Sequence, residues 1–309
     1  MTMNSVPVIM ETNLPLPVFI KGKVRDTYDL GSHLLIVATD RISAFDVVLP
    51  TGIPLKGHVL NRLSNFWFRR TKDIIPNHLT DTLDDLHGLD SFLPAESRFS
   101  YPAYLRGRSM VVKKVKRLPL ECVIRGYLSG SAWSEYKEKG TISGRPMPKG
   151  MEESQELPQP LFTPTTKAEA GHDEPVTKDY IVKIFGMRIA QELEEKSIAI
   201  YKSGREYALS KGIIIADTKF EFGIDNGKLI LVDELLTPDS SRFWDAAKYK
   251  AGQSQDSLDK QPVRDWLTAS GWNKEPPAPT LPPDVVEATT NRYLLAYERI
   301  TGRKMAMLE

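Results

Sequence analysis

Cysteine is nearly missing from this chain: Cys122 is the only one in 309 residues. No internal disulfide can form, and such usage fits a reducing compartment. No apolar run approaches the roughly 18–20 residues that span a bilayer. The opening stretch MTMNSVPVIMETNLPLPVF lacks the basic start of a signal peptide and is interrupted by Glu11 and several prolines. A surplus of one charge is also lacking. The formal net charge is +1, which gives no overall electrostatic pull toward nucleic acid or an anionic membrane. Neither an internal repeat nor a heptad pattern is visible, and no Walker P-loop is present. The expectation is a soluble, cytoplasmic protein.

What remains is an ordinary globular chain, 41% hydrophobic and 26% charged, long enough for two domains or for one domain with two lobes. The first hundred residues are rich in strand signals, with apolar runs at 32–39 and 109–115. Between them, Val59, Leu60, Leu63, Phe66 and Trp67 recur at helical spacing over 58–70, which places Trp67 in the core. Residues 146–175 are rich in Pro, Glu, Gln and Thr and read as a long loop. Thr177 then caps one or two helices running to about Lys211, with Gly212 as the stop. A proline-rich connector at 276–283 precedes a terminal helix over 284–301.

Residues 213–245 carry the densest signal. Asn226-Gly227 supplies the positive φ values of a tight hairpin turn between two apolar strands. Alternation puts Asp217, Lys219 and Glu221 on one face of the first strand, and Ala216, Thr218, Phe220 and Phe222 on the other. Glu221 and Asp233 are the candidate Mg2+ carboxylates, since magnesium at an ATP site is typically held by one or two carboxylates plus phosphate oxygens. A two-residue turn, however, pairs Asp233 with Phe220 and sends it to the opposite face. Convergence requires a bulge, strong twist or strand end. A plain hairpin with solvated carboxylates is the alternative.

Four further segments can carry chemistry. Lys21 to Asp26 forms a basic turn whose backbone could approach phosphates while Lys23 or Arg25 neutralises them; a surface turn is the alternative. Thr39 to Asp46 ends an apolar strand, a common place for recognition groups, or else is a capped turn. Glu121 to Trp133 offers Ser129-Gly130-Ser131 at a helix start, with Arg125 able to grip a phosphate; the alternative, compatible with the first, is that Ser131 caps a helix beginning near Ala132. Phe162 to Pro175 groups Lys167, Glu169, His172, Asp173 and Glu174, with a spacing that fits no standard zinc pattern. The basic cluster Lys113, Lys114, Lys116 and Arg117 has no aromatic interleaving and reads as a strand edge or nucleotide-contacting connector.

Together and in order, GKVRDTYDLG, ATDRISAFD, IPLKGHVLN, PLECVIRGYLSGSAW, FTPTTKAEAGHDE, IADTKFEFG and LVDELLTPDSSRFW make the chain resemble the SAICAR synthetases of purine biosynthesis, over roughly residues 18–265. The central loop and C-terminal extension resemble the fungal form. The resemblance implies an ATP-dependent ligase that joins carboxyaminoimidazole ribotide and L-aspartate through an acyl phosphate. It implies an α+β fold of two lobes: a β-rich, ATP-covering lobe over 1–118 and an α+β lobe over 119–309 carrying the metal hairpin, with a kinase-like ATP cleft. Carried over position by position, Glu221 and Asp233 are similar to the family's Mg2+ ligands. Lys23 is similar to its phosphate-contacting lysine, with Arg25 assisting, and the connector from Lys113 to Glu121, which holds the candidates Lys114 and Glu121, resembles the hinge that receives adenine, largely through backbone groups. Arg125, Ser131 and Arg242 resemble the clamp on the ribotide 5′-phosphate. Asp46 and Asp239 are expected near ribose and imidazole, with Ser43 shaping the same loop. Lys167 and Lys219 suit carboxylates or the migrating phosphoryl group.

Asp217 and His172 are the candidate bases for the aspartate amine, and a salt bridge to a neighbouring lysine is the plainer reading of Asp217. A monomer is expected. The rival readings are a kinase-like phosphotransferase, a ligase with another acid or amine, and a non-catalytic nucleotide-binding scaffold. The scaffold predicts loss of the metal carboxylates, which are both present.

Overall fold

The computed structural model describes residues 7–167 and 173–305. Within them the chain forms two compact units, one of residues 7–66, 78–114 and 259–305, the other of 67–77 and 115–258 less the undescribed 168–172. The boundary expected at 118/119 thus falls at 114/115. The C-terminal extension is placed by sequence with the second half, yet it belongs to the first unit.

The first unit is built on β1 (Val18–Lys21), β2 (Arg25–Asp29), β3 (His33–Ala38), the short pair β4 (Ser43–Ala44) and β5 (Val47–Val48), β6 (Leu79–Asp81), β7 (Ser109–Lys113) and helix α1 (Lys56–Thr71) up to Phe66, the rest of that helix being counted with the second unit. Five strands form one antiparallel sheet in the order β1-β2-β3-β7-β6. Leu35, Val37 and Val111 bury one face of it with Leu14, Leu83, Leu89 and Leu105. Trp67, near the end of α1, is fully buried, as its helical spacing requires.

The second unit continues through β8 (Lys116–Arg117), β9 (Leu120–Tyr127), α2 (Gly130–Lys139), a small hairpin of β10 (Thr141–Ile142) and β11 (Arg145–Pro146), β12 (Glu156–Phe162), β13 (Thr165–Thr166), α3 (Lys178–Phe185), α4 (Met187–Ser210), β14 (Ile213–Asp225), β15 (Lys228–Val232) and β16 (Ser241–Asp245). Its seven-stranded sheet runs β12-β9-β14-β15, with β8 and β16 also on β14 and β13 on β9. The stretch read as one long loop therefore contains strands. Pro158 and Pro160 hide β12, which tolerates them because it lies at the sheet edge and its register shifts between Glu156 and Leu161. The helical stretch after Thr177 is two helices. Thr177 caps the first through Tyr180 N, and Gly186, at φ 84°, separates it from the second. Helix α4 packs on β14, β9 and β12. On the covered face, Tyr201 donates from its hydroxyl to Ile215 O at 2.7 Å.

The chain then returns to the first unit with α5 (Gln261–Ala269) and α6 (Pro283–Thr301). Val263, Leu267 and Leu281 complete a cluster with Ile42, Ala44, Leu49 and Ile53. Amphipathic helices declare a buried face but not its partner, which is why sequence order misplaced this segment. No helix among the described residues is long and apolar enough to cross a membrane.

Candidate active site

Strand β14 organises the site because it has different neighbours along its length. Asp217 pairs across to Arg242 of β16 on one side and Arg125 of β9 on the other. Two residues on, Lys219 faces Val123, and Glu221 opens the ladder to β15 opposite Val232. The alternation read from sequence places Asp217, Lys219 and Glu221 on one face, and their contacts follow that pattern.

Arg125 and Arg242 both close on the same oxygen of Asp217. The Arg125 Nη1 distance is 3.5 Å, and the Arg242 pair is tighter. Arg125 also donates from Nη2 to Ser131 Oγ at 3.1 Å and from Nε to Thr163 Oγ1 at 3.1 Å. Burial lowers the pKa of Arg125, Asp217 opposes that fall and Arg242 adds to it. Two guanidiniums on one carboxylate leave a net positive charge beside the start of α2, a setting for a dianionic group. Gly130 sits there at φ 56°, and a β-carbon on it would run into the Arg242 guanidinium. Ser131 is not the helix cap: Ser129 holds that position, without a side-chain cap bond. The three residues expected to form a phosphate clamp are thus brought together.

Asp217, a candidate amine base by sequence, has one carboxylate oxygen, Oδ2, engaged by both arginines and approached by Ser129 Oγ at 3.5 Å. The salt bridge expected as its plainer role exists, but to arginines in place of a lysine. His172 and Glu169 lie outside the described residues.

Further along the same face, Glu121, Lys167, Lys219 and Glu221 form an alternating charge network. Lys219 Nζ lies 2.8 Å from Glu121 Oε1, and Lys167 Nζ lies 3.7 Å from that oxygen and in close contact with Glu221 Oε1. Arg117 Nη1 reaches Glu221 Oε2 at 3.2 Å. Burial opposes the charge on Lys219, but Glu121, with Glu221 and Glu234 beyond it, wins and raises its pKa. Glu221 is raised as well, by burial and by the charge of Asp233, against the pull of Lys167 and Arg117. Asp233 therefore acts on Glu221 despite the register that sends it to the other face. The ladder stops at Val232, and Asp233 takes φ 68°, a left-handed turn at the strand end.

The remaining candidates are distributed as follows. Asp239 lies in a turn fixed by Thr237, whose hydroxyl donates to Glu234 at 2.6 Å and accepts from Asp239 N at 3.2 Å. The same turn is tied to β14 by Lys219 N donating to Ser240 O at 3.0 Å. In the first unit, Lys23 Nζ pairs with Asp46 Oδ1 at 2.5 Å, joining two residues that were expected to serve different ligands. Ser43 stands in β4, three residues before Asp46. Lys114 pairs with Asp29 at 2.6 Å, and Arg25 opens β2. Glu121, expected to act through its backbone, instead directs its carboxylate at the two lysines. Sequence reasoning missed Arg117, Thr163 and Glu234. Arg117 was visible only as part of a basic cluster, because its partner is set by the pairing of β8 with β14.

A family model described as SAICAR synthetase matches residues 18–279. The chain belongs to the SAICAR synthetase family. It is 52% identical over 301 residues to the phosphoribosylaminoimidazole-succinocarboxamide synthase of Syntrophotalea carbinolica, covering 97% of this chain and 99% of that one. It is likewise 52% identical over 300 residues to that of Geobacter sulfurreducens, with 96% and 98% covered. A solved SAICAR synthase from Saccharomyces cerevisiae, complexed with SAICAR, matches with TM-score 0.87 and 46% identity over 97% of this chain and 100% of its own. A SAICAR synthetase of type 2, in complex with ADP, matches at TM-score 0.67 and 26% identity over 94% and 100%. The fold is the α+β fold of these enzymes. The protein is an ATP-dependent ligase of purine biosynthesis, joining carboxyaminoimidazole ribotide to L-aspartate. Bacterial relatives share its full length, so neither the length nor the C-terminal extension marks a fungal source.

Proposed function

We propose that the two charge clusters on the Asp217, Lys219 and Glu221 face of β14 divide the reaction between them. Arg125, Ser131 and Arg242 would hold the ribotide 5′-phosphate. Lys167 and Lys219 would neutralise the ribotide carboxylate and the phosphoryl group passing to it. Carboxylate oxygen attacks the γ-phosphorus of ATP and ADP leaves. The aspartate amine then attacks the acyl carbon, phosphate leaves, and the amine gives up its proton. Both steps bring anions together, so cationic side chains fixed before reaction supply much of the stabilisation. The observation that carries this reading is the pair of arginines converging on Asp217, two to four residues from the lysine–glutamate network along one strand.

Glu221 and Asp233 would hold Mg2+. The donors fit a hard cation: two carboxylates whose mutual repulsion raises the Glu221 pKa, with phosphate oxygens and water left to complete the shell. Among the described residues no group of three or more His, Cys, Asp or Glu could hold a metal alone, which suits an ion that arrives with nucleotide. When bound, Mg2+ would offset charge on the ATP phosphates. Lys23 and Arg25 would contact those phosphates, Lys114 to Glu121 would line the adenine connector, and Asp46, Ser43 and Asp239 would meet the ribotide. We further assign the enzyme to the cytoplasm, as a monomer, in the long form shared with the yeast and bacterial relatives.

The test is ADP release by purified protein with Mg-ATP and carboxyaminoimidazole ribotide, with and without L-aspartate, alongside mass detection of SAICAR. ADP and product should appear together, only with all three substrates, and fall at least about 100-fold in Glu221→Gln. Raised Mg2+ should not restore that variant. Unchanged turnover in Glu221→Gln would remove the metal assignment.

A further inference from the structure

The turn that carries Lys23 is held by a residue that reads in sequence only as part of a recognition loop. Arg41 donates from Nη2 to Gly22 O at 2.9 Å and from Nε to Lys23 O at 3.1 Å. The next carbonyl, Val24 O, accepts from Thr39 N at 3.0 Å and Thr39 Oγ1 at 2.9 Å. Three consecutive carbonyls are therefore drawn to one side by two residues at the end of β3. In a planar trans peptide the N–H points opposite to the carbonyl it is joined to. The Lys23 and Val24 N–H groups must then face away from Arg41, and neither has a hydrogen-bond partner among the described residues.

Adjacent outward amides beside a lysine ammonium make an anion-binding concavity. The guanidinium is itself fixed. Nη2 also pairs with Asp26 Oδ1 at 2.7 Å, Nη1 donates to Met10 O at 2.5 Å, and the Asp26 side chain is fully buried, with its other oxygen taken by Thr12 N and Oγ1 at 2.8 Å each. A rigid base of this kind keeps both peptide planes from rotating.

We propose that Arg41, assisted by Thr39, is the positioning residue of the nucleotide-phosphate turn, presenting the Lys23 and Val24 amides to the phosphates of ATP. This rests on the assignment of the Lys23 turn to ATP phosphates made above. Arg41 itself touches no substrate. Lysine cannot replace it: an ammonium is a single point donor, whereas the guanidinium serves two carbonyls of the turn, Met10 O and Asp26 at once.

The experiment compares ATP and adenosine affinity by calorimetry in the wild type, Arg41→Lys and Lys23→Met. Arg41→Lys should weaken ATP about tenfold while leaving adenosine affinity and the KM for carboxyaminoimidazole ribotide unchanged. Parallel loss of ATP and adenosine affinity, or no loss of either, would overturn the proposal. Lys23→Met separates the two layers. If it leaves ATP binding intact, the turn does not bind phosphate and the role of Arg41 falls with it. If it weakens ATP while Arg41→Lys does not, only the positioning role falls. Should Arg41→Lys not fold, Thr39→Val removes a single hydroxyl donor and should shift the ATP-to-adenosine affinity ratio about two- to threefold the same way; an unchanged ratio would overturn the proposal.

Discussion

Asp217 shows how one side chain is defined by its neighbours. It stands between Arg125 and Arg242, two cations that would otherwise repel each other, and pairs with both. Asp217→Asn should destabilise the protein by about 3 kcal/mol, because it strands largely buried guanidiniums. Inorganic phosphate should recover part of that loss by occupying the same ground. Thermal unfolding with and without phosphate checks this, and the recovery should be larger in the variant than in the wild type. His58 gives the complementary case. Burial, then the charges of Arg108 and Arg62, lower its pKa from 6.5 to about 3, and its Nδ1 lies 3.1 Å from Arg108 Nη2. The folded protein holds it neutral while the unfolded chain takes up a proton below pH 6.5. Its contribution is complete above that pH and is lost as pH falls toward 3, at about 1.4 kcal/mol per pH unit. Denaturant titrations from pH 7 to 4 should show a shallower loss in His58→Gln than in the wild type, by that slope.

At the scale of elements, the fit of α4 against its sheet depends on a missing side chain. A β-carbon at Gly126 of β9 would overlap the Tyr201 hydroxyl, which is itself bonded to Ile215 O. Gly126→Ala should cost about 1–3 kcal/mol in urea unfolding. Combining it with Tyr201→Phe should cost less than the two changes added, since the second removes the atom the first strikes. The limits of sequence reading also lie at this scale. The β14–β15 hairpin was legible because Asn226-Gly227 is a local device, and the structure has both residues at positive φ. Arg125 and Ser131 were legible as a possible anion grip, but Arg242 joined them only by resemblance, because its meeting with Arg125 at Asp217 depends on registers between three strands. The left-handed turn at Asp233 was not legible either. It arises where the ladder runs out, not from a residue type that demands it. Prolines concealed β12 because a strand signal presumes a paired backbone, and an edge strand needs only half of one.

For the whole molecule, the most consequential departure from sequence order is the return of 259–305 to the first unit. Leu281 N donates to Thr51 Oγ1 at 3.0 Å, and Val263, Leu267 and Leu281 line the cluster around Ile42 and Ile53. A chain stopped after Leu258 should lose cooperative unfolding of its first unit. Hydrogen exchange should speed up at Ile42, Leu49 and Ile53 far more than at Phe220 or Ile215. Equal acceleration in both sets would show that the segment supports the fold in some other way.

The same return has a meaning in time. A ribosome makes the strands of the first unit before those of the second unit, yet the residues that close the cluster around Ile42 emerge after them. At about 5–20 residues per second, the nascent first unit waits many seconds with that apolar surface open while the second unit, nearly continuous in sequence, can already form. The first unit is begun before the second and closed after it, and its exposure to chaperones during synthesis is set by the length of the polypeptide between.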